Sequence, residues 1–555
     1  MQMNIKLLTT NITIVFLCVI LLNNLVFAQY NTLWIPDTLT GTTFNLNLHT
    51  ATKQLVSSGQ ATDTYAYNTA SFWGPTLIMN KDECVQINLT NNLPDTTTTH
   101  WHGFHIPAMT DGGPHQPIAP NEVWSPFFKI RNNAATYWYH PHLHTKTTEQ
   151  VVMGAGGLII VRDPIEAALP LPRKYGIDDI PVVLTSRRYT TNNQFVTTNS
   201  VYGDYMLTNG TPNAQVSLPK QYVRLRILNA EVERAYNLGF SDNRTFYVIG
   251  NDGGLLNAPV PVTRMILVTG ERVELLVNLG NDPVGTSLDL MAYNAGQPLG
   301  FPGGEPNTTG QFGSLLNNTN FSVLHINVAA TTSNPITTLP TTLVNNTYWT
   351  AADATNTRQI NVTGGAPPGT AFTFDNAPYD MEVINQTVNL DAIERWNITN
   401  NNVFGHAFHI HDVQFKIVAR NNNPASVKNY ESGWKDVLYL PRNESVSFVA
   451  KFDHFADDMM PYMYHCHFLD HEDGGMMGQF VVTGESICPV SISGTTVTCG
   501  GTVVSYTTPP VDSCGVTYTW TVTGGTILNG QGSNQISVQW NNGATGTVTV
   551  EQVAP

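Results

Sequence analysis

Three stretches of this chain alternate apolar and polar residues and then stop on an asparagine: Cys84-Val-Gln-Ile-Asn-Leu-Thr-Asn91, Tyr222-Val-Arg-Leu-Arg-Ile-Leu-Asn229 and Glu394-Arg-Trp-Asn-Ile-Thr-Asn400. A period of two marks a half-buried strand. Each stretch is followed, some distance on, by a second matched strand: "PNEVWSPFFKI" from Pro120, "TGERVELLVNL" from Thr269 and "PRNESVSFVAKF" from Pro441. A third match joins "YWYHPHLH" from Tyr137 to "YMYHCHFLDH" from Tyr462, whose tyrosines 137, 139, 462 and 464 are expected to fill a core. Pro and Gly clusters punctuate the chain, and no long helical period interrupts it. The pattern predicts an all-β protein in which one domain is written three times. Each copy reads as a β-sandwich or Greek-key barrel of about 100 to 170 residues.

The expected copies span 29–165, 175–330 and 335–484, with linkers near Arg162–Lys174 and Thr331–Pro340. From 485 to 555 the texture changes to short alternating strands with Gly/Asn turns, such as "TYTWTVTGGTI". That segment resembles a small immunoglobulin-like (PKD-like) module. The sequence leaves its partner unknown, a surface or a carbohydrate being candidates. Residues 1–28 read as a secretory signal: Lys6 supplies the positive start, an apolar stretch runs from Ile12 to Phe27, and Val26-Phe27-Ala28 fits a cleavage site. The expected address is secreted or periplasmic, with the cell surface as a variant, and no membrane span remains after signal removal.

Composition narrows the function classes. The 555 residues carry a net charge of −15, which disfavours nucleic acid as a partner. Five cysteines remain once Cys18 leaves with the signal, and an odd count leaves one for a task other than a disulfide. The expected bridges are Cys84–Cys488 and Cys499–Cys514, or a pairing of Cys488 within the tail. Cys466 is the one kept back.

The 16 histidines are clustered, and none lies between His144 and His325. Four tight groups hold His100 and His102; His140 and His142; His406, His409 and His411; and His465, His467 and His471. In a strand, residues i and i+2 face the same way, so His-X-His aims two imidazoles at one metal or at two adjacent ones. In His465-Cys466-His467 the thiol therefore faces a different metal from its neighbours. His471, Met476 and a distant histidine such as His406 would complete a His2Cys set with a weak axial Met, the ligand set of a blue-copper electron-transfer centre. A structural zinc site wants more thiolates and fits poorly.

Four segments, "HWHG" (His100–Gly103), "YHPHLH" (Tyr139–His144), "HAFHIH" (His406–His411) and "HCHFLDHEDGGMM" (His465–Met477), resemble the copper signatures of multicopper oxidases. The resemblance covers about residues 30 to 484 and implies three cupredoxin-like domains and four copper ions. Position by position, it implies a type 1 site on His406, Cys466, His471 and Met476. It implies a type 2 site on His100 and His409, and a type 3 pair on His102, His140 and His467 and on His142, His411 and His465. Ala407 stands where Pro is common. "HWHG…DGGP", "HEDGGMM", "NDGGLL" and "GERVELLV" are closest to the bacterial laccase, cuprous-oxidase and bilirubin-oxidase-like branch, in which Asp111 and Glu472 would deliver protons. His105, His115 and His144 lie off the ligand pattern, as second-sphere or surface residues, and Met477 reads as packing.

The resemblance implies one-electron oxidation of a phenolic or aromatic amine substrate coupled to reduction of O2 to water. Cuprous ion is the alternative substrate, and a non-catalytic copper-binding or electron-transfer protein is the alternative class. A cupredoxin nitrite reductase would not need four such motifs. Met459, Met460 and Met463 form the one methionine cluster near the site, and no dense Met-rich run precedes His406.

Overall fold

The computed structural model describes residues 30–198, 201–306, 310–365, 371–484, 491–511, 514–543 and 545–553. The signal segment and Cys488 lie outside the described residues. The architecture is the expected one: three cupredoxin-like β-sandwiches and a small β module at the C-terminal end.

In the first unit a five-stranded sheet runs Thr38–Thr40, Thr76–Asn80, Gly157–Arg162, Ala135–His140, His100–His102. It packs on a sheet centred on Thr43–Lys53 and Cys84–Asn92. The middle unit sets a seven-stranded sheet around Tyr222–Asn229 against a six-stranded one around Asn320–Ala329. In the third, Asn356–Gly364, Ala392–Asn400 and Ser445–Phe452 face a sheet ordered Gln386–Asn389, Met477–Thr483, Asp457–Cys466, His406–Ile410, Val437–Leu440.

The repeated sequence pattern has a repeated structural cause. In every unit the strand ending in Asn pairs antiparallel with the matched strand downstream. The terminal Asn then performs the same task three times. Its Oδ1 accepts the N–H two residues on, at Leu93 (2.9 Å), Glu231 (3.1 Å) and Asn402 (2.9 Å). Its Nδ2–H donates to a carbonyl of the following loop, at Asp95, Arg234 or Phe404, and to one farther along the chain, at Ile118, Leu267 or Pro441. A buried Asn at the strand end thus fixes the loop that leaves the sandwich.

The tyrosines do sit in the cores: Tyr137 and Tyr139 in the first, Tyr462 and Tyr464 in the third. The tail module has its own small core of Tyr506, Tyr518, Trp520, Ile536, Val538 and Trp540. Among the described residues, no helix is long and apolar enough to cross a membrane.

The disulfide differs from both expected bridges. Cys84 joins Cys514, with Cα atoms 5.9 Å apart at a sequence separation of 430. Cys499 is free and exposed. A bridge requires Cα atoms within about 7 Å, and the fold brings Cys514 of the tail within that reach of Cys84 in the first unit.

Candidate metal centres

Sheet pairing gathers the histidines. His100–His102 is an edge strand paired with Ala135–His140, placing His100 opposite His140. In the third unit His406–Ile410 pairs with Asp457–Cys466, placing His409 opposite His465 and Phe408 opposite Cys466. The two histidine-bearing strands meet between the units: His100 stacks on His411 and His102 on His409, each with ring centroids 3.9 Å apart.

Within this buried space the ring nitrogens form distinct sets. His102 Nδ1 lies 3.4 Å from His140 Nε2 and 3.2 Å from His467 Nε2. His465 Nε2 lies 3.1 Å from His142 Nε2 and 3.3 Å from His411 Nε2. The Nε2 atoms of His100 and His409 are buried without a hydrogen-bond partner. In the third unit's core, Cys466 Sγ lies 3.6 Å from Nδ1 of both His406 and His471.

The outward nitrogens fix the tautomers. Nδ1–H of His100, His409, His140 and His465 donates to the carbonyls of Asp111 (2.9 Å), Asp436 (2.8 Å), Pro141 (2.8 Å) and Cys466 (3.1 Å). His411 Nδ1–H donates to Asp111 Oδ2 at 2.7 Å. His102 is turned over: its Nε2–H donates to Asp436 Oδ1 at 3.2 Å, leaving Nδ1 free. With their protons committed outward, the inner nitrogens present lone pairs to one another. Burial reinforces this by holding His102, His140, His142, His409, His411, His465 and His467 below the usual imidazole range, hence neutral. Converging lone pairs with no donor between them are what a set of soft-to-borderline cations would satisfy, so these residues fit copper.

At Cys466, burial pushes the thiol well above its ordinary value, so the thiolate needs a cation to form. Met476 is fully buried in the same core and its carbonyl accepts the Cys466 N–H at 3.0 Å. The far nitrogen of His471 faces Glu233 Oε1 at 3.4 Å, and Phe372 lies against both rings, with centroids 4.8 Å from His406 and 4.5 Å from His471.

Asp111 and Glu472 both reach the histidine cluster. Glu472 Oε1 lies 3.2 Å from His142 Nδ1, its Oε2 lies 3.2 Å from His465 Nδ1, and Thr147 Oγ1–H donates to it at 2.8 Å. Burial raises the Glu472 carboxyl. Asp111 Oδ1 is buried without a hydrogen-bond partner, beside the oxygen that holds His411.

Sequence reasoning missed Asp436 and its anchor. Arg272, in the middle unit's "GERVELLV", holds Asp436 with two hydrogen bonds of 2.6 Å and donates to the Asp252 carbonyl at 3.1 Å. Lys435 pairs with Asp252 (2.9 Å) and Glu271 (2.8 Å). Burial pushes the Asp436 carboxyl up, and Arg272 draws it back. The signal was there: charged residues inside an otherwise apolar strand are rarely buried without a partner. Gly103 closes "HWHG" for a related reason, since it sits at φ +85° and a Cβ there would stand 2.5 Å from Asp436 Oδ2.

Other candidates lie apart. His144 packs on Tyr379, and His115 hydrogen-bonds Gln479. Met463 is buried and its carbonyl accepts the His411 N–H at 2.9 Å, Met460 meets Gln116, and Met459 is 83% exposed. Met460 and Met463 thus lie toward the Asp111 side rather than over Cys466.

Family models described as "Multicopper oxidase" match residues 49–166 and 351–486, and one described as "PKD-like domain" matches 485–554. Cell division protein FtsP of Shigella dysenteriae is 32% identical, covering 74% of this chain and 84% of that protein. Bilirubin oxidase of Albifimbria verrucaria is 31% identical, covering 74% and 71%. The laccase-like multicopper oxidase CueO from an Ochrobactrum species superposes with a TM-score of 0.72 at 29% identity, covering 81% of this chain and all of that one.

Proposed function

The chain belongs to the multicopper oxidase family and is an oxidoreductase, and from that premise we propose a laccase-like enzyme that oxidises phenols or aromatic amines and reduces O2 to water. Copper held as a type 1 ion, a type 2 ion and a type 3 pair would supply the redox chemistry, accepting electrons from the substrate one at a time and passing four to O2. The proposed ligands are those of the sequence reading: His406, Cys466, His471 and Met476; His100 and His409; His102, His140 and His467; His142, His411 and His465.

One observation carries the reading. Three consecutive residues, His465, Cys466 and His467, reach three different nitrogen or sulfur sets. Two peptide units therefore link the thiol to both halves of the histidine cluster, a short covalent route for electrons. Protons must follow, because O2 takes up four electrons and four protons to give two waters. Glu472 and Asp111 are the proposed proton-delivering groups, each touching a cluster histidine and each buried.

Substrate size is supported by a cavity of about 480 Å³ lined by Phe301, Arg420, Tyr430, Glu431, Tyr439 and Arg442. Gly405, next to His406, donates to the Gly300 carbonyl at 2.9 Å beside this cavity. Aromatic walls with a few charged groups suit a phenol or aryl amine. The exposed Met459 and the position of Met463 argue against a thioether path for cuprous ion to Cys466. Export to the periplasm or medium follows from the signal-like start.

The test is O2 uptake by the copper-loaded protein with dimethoxyphenol and with cuprous ion side by side. Uptake with the phenol supports the proposal. Uptake with cuprous ion alone makes it a copper-detoxifying oxidase. Uptake with neither, at full copper, makes it a copper-binding protein.

A further inference from the structure

His105 belongs to none of the sets above, yet it stands in a constellation of its own. Its Nε2 lies 3.1 Å from His454 Nδ1 and 3.4 Å from Asp453 Oδ1. His454 Nδ1 and Asp453 Oδ1 are 3.2 Å apart. Three donor atoms from three side chains therefore form a nearly equilateral triangle. Metal–nitrogen and metal–oxygen bonds of about 2.0–2.1 Å at tetrahedral angles put neighbouring donors about 3.3 Å apart.

The surroundings are arranged as around a metal. His105 Nδ1–H donates to Asp412 Oδ1 at 2.7 Å, which in the neutral ring leaves Nε2 as the lone pair; burial opposes charge on this ring, but Asp412 and Asp453 outweigh it and favour a cation there, whether a proton or a metal ion. Asp412 itself is 2% exposed. His454 sits in the left-handed region at φ +62°, uncommon for a non-glycine residue, and this bend directs its ring at His105. The side chains are graded outward: His105 is 12% exposed, Asp453 32% and His454 43%. The open side faces solvent, where water can complete a fourth position. Lys451 pairs with Asp453 through Oδ2 at 3.2 Å, leaving Oδ1 for the triangle.

We infer that His105, Asp453 and His454 form a site for one divalent transition-metal ion, copper(II) or zinc(II), separate from the four-copper machinery. Two imidazoles and a carboxylate suit either ion, and copper binds the tighter. The site would clamp two units: His105 follows "HWHG" in the first, and Asp453 and His454 lie in a loop of the third. Asp412 adjoins His411, so the clamp would tie together the loops that carry two of the histidine motifs.

The test uses the full-length, four-copper protein titrated with zinc sulfate by calorimetry, with metal content checked by elemental analysis. His454→Asn is the variant, because Asn tolerates the left-handed backbone and lacks the imidazole. One zinc is expected to bind per chain with all four coppers retained, and His454→Asn is expected to weaken it at least about tenfold. One equivalent of copper(II) should add an EPR signal with nitrogen hyperfine structure that the variant lacks. Zinc uptake unchanged in the variant, absent from the wild type, or matched by loss of copper would overturn the assignment.

Discussion

Replacing Asp436 by asparagine removes one charge and almost no volume. In the wild type His102 Nε2–H donates to the Asp436 carboxylate at 3.2 Å, and this contact leaves Nδ1 as the atom facing His140 and His467. A hydrogen bond to a charged group contributes about 1.5–3 kcal/mol and a neutral one about 0.5–1.5 kcal/mol. The difference, about 1–1.5 kcal/mol, is close to a tenfold change in affinity for whatever His102 holds. That agrees with the low end of the 10–100-fold loss usual when a partner behind a metal ligand is altered. The Cys466 set has no contact with Asp436 and serves as an internal reference. A second effect must be separated, because Arg272 loses its anion, and breaking a buried pair costs about 3–5 kcal/mol. The double variant Arg272→Met/Asp436→Asn removes the orphaned cation. Wild type, single and double variants are dialysed against a graded copper chelator, and copper per chain, the blue thiolate band and the EPR spectrum are recorded. Both variants should lose copper from the histidine cluster at about tenfold less chelator while the blue band persists, and the double variant should regain stability alone. Full retention of copper by Asp436→Asn, or loss of the blue band first, would refute the role given to Asp436.

Other expectations concern single groups. Cys466→Ser should abolish the blue band and phenol-driven O2 uptake while the histidine cluster keeps its copper, as elemental analysis would show. Glu472→Gln should lower kcat by about a hundredfold and leave anaerobic reduction by phenol unchanged in stopped flow; an equal slowing of both steps would remove Glu472 from proton delivery. The metal-free protein should lose stability as pH falls. Burial holds His142 and His465 at about 3, below the roughly 6.5 of an exposed imidazole. The unfolded chain therefore binds more protons between those values. Stability is full above about pH 6.5 and declines by up to about 1.4 kcal/mol per pH unit for each such ring, Glu472 acting in the opposite sense. A denaturant midpoint that stays flat from about pH 5 to 7.5 would contradict this. Non-reducing peptide mapping should recover Cys84 joined to Cys514, and Cys514→Ser should cost about 2–4 kcal/mol.

The parts legible in the sequence were those with a local period. Alternation along Cys84–Asn91 or Tyr222–Asn229 is a property of neighbouring residues, and so is the common facing of i and i+2 that makes His100-Trp-His102 a chelating unit. The terminal asparagines were visible as a pattern, but their hydrogen bonds to the next loop were not. What escaped depends on contacts between distant segments. Arg272 and Asp436 are 164 residues apart, and Cys84 and Cys514 are 430 apart. No pattern within either segment specifies the other. His105 was read as a second-sphere or surface residue because its partners Asp453 and His454 lie in a different unit.

The middle unit has no histidine between His144 and His325, yet it is not a spacer. Imidazole is a neutral donor to a metal, so any cations that the eight rings between the units would hold bring uncompensated positive charge into a buried space. Desolvated charge of that kind must be matched nearby. Asp111, Glu472 and Asp436 supply negative charge at the cluster's edge, each in contact with one of its rings. The same carboxylates are a liability before metal arrives, because neutral rings give a buried anion hydrogen bonds but no opposite charge. Asp436 has a further liability: burial raises its carboxyl, and Asp252 close behind it raises it more. The middle unit answers with Arg272, which binds Asp436 directly, while Asp252 takes Lys435 from the third unit. The copy that gives no histidine to the cluster thus has a function in the centre: it fixes the charge and orientation of the carboxylate that sets the tautomer of His102.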